Sequence, residues 1–289
     1  MTSRLPSWFR QDIPGGEIKE LARRLRSFGL NTVCQEAGCP NISACFQKKE
    51  ITFLILGKSC SRNCRFCRVA KSEEGLLPRP DADEPGRIGK GIAELGLDYA
   101  VVTSVSRDDL ADGGAAVFAR TVAEIRKLSP STKIELLIPD FQGRKLSLQC
   151  VLEAGPEVVG HNMETVPRLY PEVRPQADYR VSLGVLRGIK ELAPRVISKS
   201  SLMLGMGETP AEVVEAMRDL RGCGCDILTL GQYLAPSARH YPVREFISPE
   251  KFAEYAKEGE AMGFSAVVSA PKARSSYRAE EVYREALLK

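Results

Sequence analysis

Apolar, β-rich runs of strand length recur through the middle of the chain: residues 51–57 (ITFLILG), 99–103 (YAVVT), 133–138 (KIELLI), 158–161 (VVGH), 197–204 (ISKSSLML) and 227–231 (ILTLG). Between them the apolar positions change to helical spacing. Residues 88–95 place Ile88, Ile92 and Leu95 on one face, and 115–128 do the same with Val117, Phe118, Val122, Ile125 and Leu128. Residues 146–152 and 179–192 follow the same period. Residues 209–220 open on Thr209-Pro210 with an acidic first turn, a helix start. Strand then helix, repeated about six times, predicts a parallel α/β sheet. The strands are continuously apolar rather than alternating, which predicts cover on both faces.

Each predicted strand runs into polar residues. A cysteine loop follows the first, and Thr103-Ser104-Val105-Ser106-Arg107-Asp108-Asp109 the second. Asp140 follows the third, His161-Asn162-Met163-Glu164-Thr165 the fourth, Gly205-Met206-Gly207-Glu208 the fifth and Gln232-Tyr233 the sixth. In a (β/α) barrel the loops after the strands converge on one end, so chemistry collects there. A doubly wound open sheet is the competing topology and uses the same end, but no G-x-G-x-x-G occurs. The pattern therefore predicts an α/β fold with a partial (β/α)6, TIM-like barrel over residues 51–247. Residues 1–50 add a helix over 18–28 and a cysteine-rich loop. Residues 248–289 add a helix over 249–262, a short strand over 265–268 and a basic tail. No Gly/Ser linker sets either extension apart, so both are expected to pack on the barrel mouth.

Composition narrows the function. The 289 residues, 43% hydrophobic and 27% charged, suffice for a buried core and exclude disorder. No apolar run approaches the roughly 18 residues of a membrane helix, and residues 1–16 hold no apolar signal segment. A cytoplasmic protein without a membrane partner is expected. The net charge of +4 is too small for a nucleic-acid-binding footprint. One stretch, with Lys58, Arg62, Arg65, Arg68 and Lys71 and no acidic residue, reads either as a solvated loop or as a basic rim for an anionic ligand or partner. Nine cysteines against two histidines point to thiolate-only metal sites in a reducing compartment.

Cys60-x3-Cys64-x2-Cys67 directly follows the first strand, with Phe66 before its last cysteine. Three thiolates in one loop can hold three corners of an iron–sulfur cube and leave one iron open to a substrate. Cys34-x4-Cys39-x5-Cys45 is a second such triad. Zinc is the alternative at either. Cys150, Cys223 and Cys225 read as packing or turn residues.

The first triad resembles the motif of the radical S-adenosylmethionine enzymes. The resemblance to the lipoyl synthase family within them rests on Cys34-Gln35-Glu36-Ala37-Gly38-Cys39-Pro40-Asn41 with Cys45, and on Ser59-Cys60-Ser61-Arg62-Asn63-Cys64-Arg65-Phe66-Cys67. It continues through Thr103-Ser104-Val105, Arg107-Asp108-Asp109-Leu110, Asp112-Gly113-Gly114-Ala115, His161-Asn162-Met163-Glu164-Thr165 and Gly231-Gln232-Tyr233-Leu234, ending at Arg274-Ser275-Ser276-Tyr277. Gly38, Ala44, Phe46, Ser106 and Gly160 depart from the family's usual residues.

The resemblance implies that Cys60, Cys64 and Cys67 hold a 4Fe–4S cluster whose open iron binds S-adenosylmethionine. It implies that Cys34, Cys39, Cys45 and Ser275 hold an auxiliary 4Fe–4S cluster that supplies sulfur. Thr103, Ser104, Asn162, Glu164 and Lys199 are candidate S-adenosylmethionine contacts, as strand-end residues. The implied reaction inserts two sulfur atoms, at the sixth and eighth carbons of a protein-bound octanoyl-lysine. The implied partners are an octanoylated lipoyl carrier (the glycine cleavage H protein or lipoyl domains of 2-oxoacid dehydrogenases), a flavodoxin or ferredoxin electron donor, and an iron–sulfur carrier that rebuilds the auxiliary cluster. Two rivals remain. A methylthiotransferase-like radical enzyme predicts an appended nucleic-acid-binding module. A non-catalytic iron–sulfur carrier or zinc-stabilised module leaves the polar strand ends unexplained.

Overall fold

The structure, a computed structural model, describes residues 5–9, 16–72 and 76–289. Most of the segment 1–16 considered for a signal lies outside them. The described residues form ten strands: β1 (Asn31–Thr32), β2 (Thr52–Ile55), β3 (Ser59–Cys60), β4 (Ala70–Lys71), β5 (Tyr99–Ser104), β6 (Lys133–Leu137), β7 (Val158–Gly160), β8 (Ile197–Leu204), β9 (Ile227–Gln232) and β10 (Ala266–Ser269). Eight of them make one sheet in the order β1-β2-β5-β6-β7-β8-β9-β10. From β2 to β10 every pairing is parallel and follows chain order, while β1 runs antiparallel on the outer edge. An order that never reverses has no topological switch point, which separates this sheet from a doubly wound one.

Helices α1 (Gly16–Ser27), α2 (Val33–Glu36) and α3 (Ile42–Gln47) precede β2. The crossovers carry α4 (Glu84–Leu95), α5 (Ala115–Leu128), α6 (Lys145–Glu153), α7 (Tyr170–Val173), α8 (Tyr179–Leu192), α9 (Pro210–Gly222) and α10 (Pro249–Ala261). Helix α4 packs on α5, α5 on α6, α6 on α8, α8 on α9 and α9 on α10. They form one continuous layer. Ala100 and Val102 of β5 join the main core with that layer, including Phe118, Val122 and Ile125 of α5. Strand alternation turns Tyr99, Val101 and Thr103 to the opposite, inner face.

Local chemistry sets several ends. Asp178 caps α8 by accepting from the Arg180 and Val181 amides, and Thr209 with Glu212 forms a capping box on α9. Helix α4 starts earlier than its apolar spacing indicates. Pro85 opens it, and Glu84 accepts the Leu56 amide at 2.7 Å, tying the helix start to the end of β2.

Two expectations are corrected. The presumed basic tail contains a helix, α11 (Ala279–Ala286). It does not lie on the barrel mouth. Ala279 and Tyr283 pack with Tyr99 and Val101, and Val282 and Ala286 with Ile227 and Ala266. Tyr99, Ile227 and Ala266 begin their strands, so α11 fills the inner face at the end opposite the βα loops. At the other terminus, Phe9 does reach the mouth side, packing on Phe246 with ring centroids 6.1 Å apart.

To reach that end, the chain leaves β10 and crosses the inner face of β9. The Gln232 amide donates to Pro271 O at 3.2 Å. A Cβ on Gly231 would stand 2.1 Å from Ala273 O, closer than any side chain tolerates. Gly231→Ala is therefore expected to destabilise the protein by about 1–3 kcal/mol through overpacking. It should also expose residues 270–276 to limited proteolysis. Unfolding and cleavage profiles identical to those of the unaltered protein would contradict this packing.

Candidate active site

After β2 the chain turns outward through two positive-φ residues, Leu56 and Gly57. It then forms a small clip, with β3 parallel to β4, that closes the loop bearing Cys64 and Cys67. Inside the loop, Lys71 Nζ donates to Cys64 O at 3.1 Å and Cys67 O at 2.6 Å. The Arg62 amide stands 3.4 Å from Cys60 Sγ. Ser61 donates to Ser106 O and accepts the Asp108 amide. The Arg62 guanidinium turns inward, 4% exposed, and makes paired bonds to Asp108 (2.6 and 2.9 Å) and Asp140 (2.6 and 2.6 Å). This side chain thus pins the cysteine loop to the loops after β5 and β6. Burial raises the Asp140 carboxyl, but the Arg62 bonds and charge outweigh it and hold the pKa down to about 2.

Of the basic stretch only Arg62 is buried, and most of the others make contacts within the chain while staying exposed. Arg62 is buried in its ion pairs, Lys71 binds carbonyls and Lys58 pairs with Glu36 at 3.3 Å. Arg65 lies over the Tyr241 ring.

The strand ends face the same loop. The Thr103 hydroxyl donates to Leu137 O at 2.8 Å. Asn162 Nδ2 donates to Glu164 Oε1 at 3.2 Å. Arg174 Nη1 donates to the Asn162 and Met163 carbonyls and to the Tyr170 hydroxyl. Glu164 has φ of +67°, a strained setting for a non-glycine residue. Burial raises its pKa, and Arg174 partly offsets that. Five buried polar atoms here have no partner among the described residues: Ser104 Oγ, His161 Nε2, Asn162 Oδ1, Thr165 Oγ1 and Arg174 Nε. Unpaired buried polar atoms are costly and uncommon, so five of them at the end of β5, in the loop after β7 and just past α7 fit a polar ligand. Burial also raises the Cys64 thiol, with Arg174 drawing it down and Cys60 and Glu164 pushing it up. The cysteine loop and the unpaired groups therefore border one site.

Lys199 does not join it, correcting its expected role. It is the third residue of β8, and its Nζ binds Glu135 Oε1 at 2.8 Å, both side chains 3% exposed. Glu135 in turn accepts the Tyr99 hydroxyl at 2.7 Å, toward the α11 end. The apolar run around Lys199 gave no sign of how deep in the strand it lies. Conversely, sequence reasoning treated Arg62 only as surface charge and missed Arg174.

The second triad lies beside the outer edge of the sheet. Cys34 sits on α2, Cys39 follows with its amide donating to Cys34 O, and Cys45 sits on α3. Thr52 works against the rise that burial imposes on the Cys34 thiol, and donates to Ser276 Oγ at 2.8 Å. Asn41 Nδ2 donates to Lys272 O at 2.6 Å, and Arg274 lies within the electrostatic reach of Cys39. Ser275 is thus flanked by two residues that both engage the surroundings of this triad. Burial, then Glu50 and the other two cysteines, push the Cys45 thiol up to about 12. Gly38 joins the two cysteine loops: its φ is +63°, and a Cβ there would meet Arg68 Nη1 at 2.1 Å. Among the described residues no three His, Cys, Asp or Glu side chains are disposed to hold a metal ion. In a polynuclear cluster each thiolate binds a different iron, so the sulfurs stand farther apart than around one ion.

Comparison with known proteins decides what the two loops belong to. The radical SAM superfamily profile matches residues 54–220. The chain is 50% identical over 279 residues to lipoyl synthase of Alkaliphilus metalliredigens, covering 96% of this chain and 95% of that one. It is 49% identical over 284 residues to lipoyl synthase of Mycobacterium tuberculosis, covering 98% and 90%. The chain belongs to the lipoyl synthase family. Members of this family fall within the radical SAM iron–sulfur enzymes, and the fold agrees. Methylornithine synthase superposes with a TM-score of 0.57 at 13% identity, covering 82% of this chain and 81% of that one. Streptococcus suis SuiB bound to S-adenosylmethionine superposes at 0.59 and 11% identity, covering 90% and 62%. At such identities the likeness is one of fold alone, the partial-barrel α/β architecture.

The site also sets a pH response for this lipoyl synthase-family chain. Burial, and secondarily Arg174, lower the His161 pKa to about 4, so the folded protein keeps a neutral ring that the unfolded chain protonates below about 6.5. Stability is therefore expected to fall as pH drops through about 6.5 toward 4, at up to about 1.4 kcal/mol per pH unit. His161→Gln should flatten that slope in denaturant titrations. An unchanged slope in the variant would refute the assignment.

Proposed function

We propose that the protein is a lipoyl synthase that inserts two sulfur atoms at the sixth and eighth carbons of an octanoyl chain on a lipoyl carrier domain. The observation that carries this reading is the pair of three-cysteine loops with Arg274-Ser275-Ser276-Tyr277 drawn to the second. It occurs in a chain 50% identical to a lipoyl synthase along almost its whole length. The cofactors are two 4Fe–4S clusters and S-adenosylmethionine, which together supply radical chemistry able to remove hydrogen from unactivated carbon.

In this reading Cys60, Cys64 and Cys67 hold the first cluster. Thr103, Ser104, Asn162 and Glu164 orient S-adenosylmethionine. Their unpaired atoms, with those of His161, Thr165 and Arg174, receive its polar groups. Cys34, Cys39, Cys45 and Ser275 hold the auxiliary cluster. Serine oxygen is a harder, poorer ligand for iron than thiolate, so the Ser275 corner opens most easily. Residues 51–247 form the catalytic partial barrel, and residues 1–50 and 248–289 bring the auxiliary ligands to it. No described helix is long and apolar enough to cross a membrane. A cytoplasmic setting suits six unpaired cysteines that must stay reduced. The exposed Arg65 and Arg68 suit an acidic carrier domain or a flavodoxin- or ferredoxin-type donor. An iron–sulfur carrier rebuilds the auxiliary cluster.

Anaerobically reconstituted protein should contain about eight irons per chain, two four-iron clusters. It should cleave S-adenosylmethionine under dithionite and add two sulfur atoms to an octanoyl-lysyl peptide. Cys34→Ala should still cleave S-adenosylmethionine but yield no lipoyl product. Zinc in place of iron, or no 5′-deoxyadenosine, would sink the reading. Charge reversal at Arg65 and Arg68 should weaken carrier binding or reduction and blunt their salt dependence; no change in either removes the proposed docking surface.

A further inference from the structure

Arg62 lies between Cys60 and Cys64 in the chain, where the cysteine motif itself requires no particular residue. It is nevertheless among the most constrained side chains of the molecule, 4% exposed, with four bonds of 2.6–2.9 Å to two carboxylates. Asp140 is 2% exposed and Asp108 carries a side-chain exposure of 18%. One cation and two carboxylates leave this largely buried group with a net charge of minus one, two positions along the chain from Cys60 and from Cys64. The backbone amide of Arg62 points at Cys60 Sγ from 3.4 Å. A guanidinium fork held at both edges fixes where that amide sits.

We propose that Arg62, with Asp108 and Asp140, is a positioning group that sets the reduction potential of the cluster held by Cys60, Cys64 and Cys67. Two forces act on that cluster from here. Local charge shifts its potential, because a reduced cluster carries one more negative charge than an oxidised one. Amide hydrogen bonds to its sulfurs shift it as well. Removing the Arg62 charge leaves two uncompensated carboxylates at the base of the cysteine loop and frees the amide, so both forces lower the potential. Removing the Asp140 charge neutralises the group and raises it. Lysine at position 62 keeps the charge and loses the fork.

The inference rests on the proposed cluster assignment, and the experiment keeps the two apart. The full-length, reconstituted enzyme is titrated with reductant, following by electron paramagnetic resonance the cluster whose signal changes on adding S-adenosylmethionine. Iron content and circular dichroism are recorded beside it. Arg62→Gln is expected to shift the midpoint down and Asp140→Asn to shift it up. Arg62→Lys should fall between Arg62→Gln and the unaltered enzyme. Shifts of the same sign, or none, at full iron content would overturn the proposal. Loss of iron from all three variants with an intact fold would also overturn it, reducing the group to a clamp. An unaltered enzyme with no responsive cluster would fail the cluster assignment instead.

Discussion

Three thiols crowded into one half-buried loop resist ionisation, and this constraint shapes the molecule. Burial raises Cys34, Cys45, Cys64 and Cys67 above the ordinary thiol range, and the neighbouring cysteines raise them further. Only a strongly cationic metal group makes three adjacent thiolates favourable. Each loop is accordingly held by bonds that do not involve the sulfurs. The first has the β3–β4 clip, Lys71 and the Arg62 fork. The second has the α2 and α3 turns and the Asn41 contact with Lys272. Such prior positioning spares metal binding the cost of ordering the loop.

The sheet then decides how the two loops relate. Helices packed in one layer leave the inner face of the strands for ligand at one end and for chain at the other. The unpaired groups at the end of β5 and after β7 lie on the side of the first loop, whose Cys64 feels the charges of Arg174 and Glu164. The C-terminal segment fills the rest, passing Gly231, bringing Ser275 toward the second triad, and ending as α11 against the strand starts. Close approach recurs as the limiting factor. Gly231 admits the crossing backbone and Gly38 admits Arg68 between the loops. That contact gives one of the family departures, Gly38, a physical reason.

Much of this was legible in the sequence. Apolar runs marked β5 to β9 closely, and the predicted helices over 115–128 and 179–192 match α5 and α8. Both triads were visible because their spacing is local. Contacts between distant segments were not. Arg62 finds its carboxylates 46 and 78 residues away, and Lys199 finds Glu135 64 residues away. Charge in a linear stretch therefore looked like surface, and a buried ion pair looked like a strand end. Helix α11 escaped notice because it is eight residues long and half charged, with Ala279, Val282, Tyr283 and Ala286 facing the core. Its place at the far end of the strands depends on the sheet that receives it.

In the proposed reaction the two triads have different fates: one cluster persists while the other is spent as reactant. Isotope tracing tests it directly. The enzyme is reconstituted with heavy-isotope sulfide, freed of excess, and given octanoyl-lysyl peptide with S-adenosylmethionine for a single turnover. Mass spectrometry should find both inserted sulfurs heavy, with iron lost from the protein in step with product. Product carrying unlabelled sulfur, or formed with the full iron content retained, would contradict this division of roles.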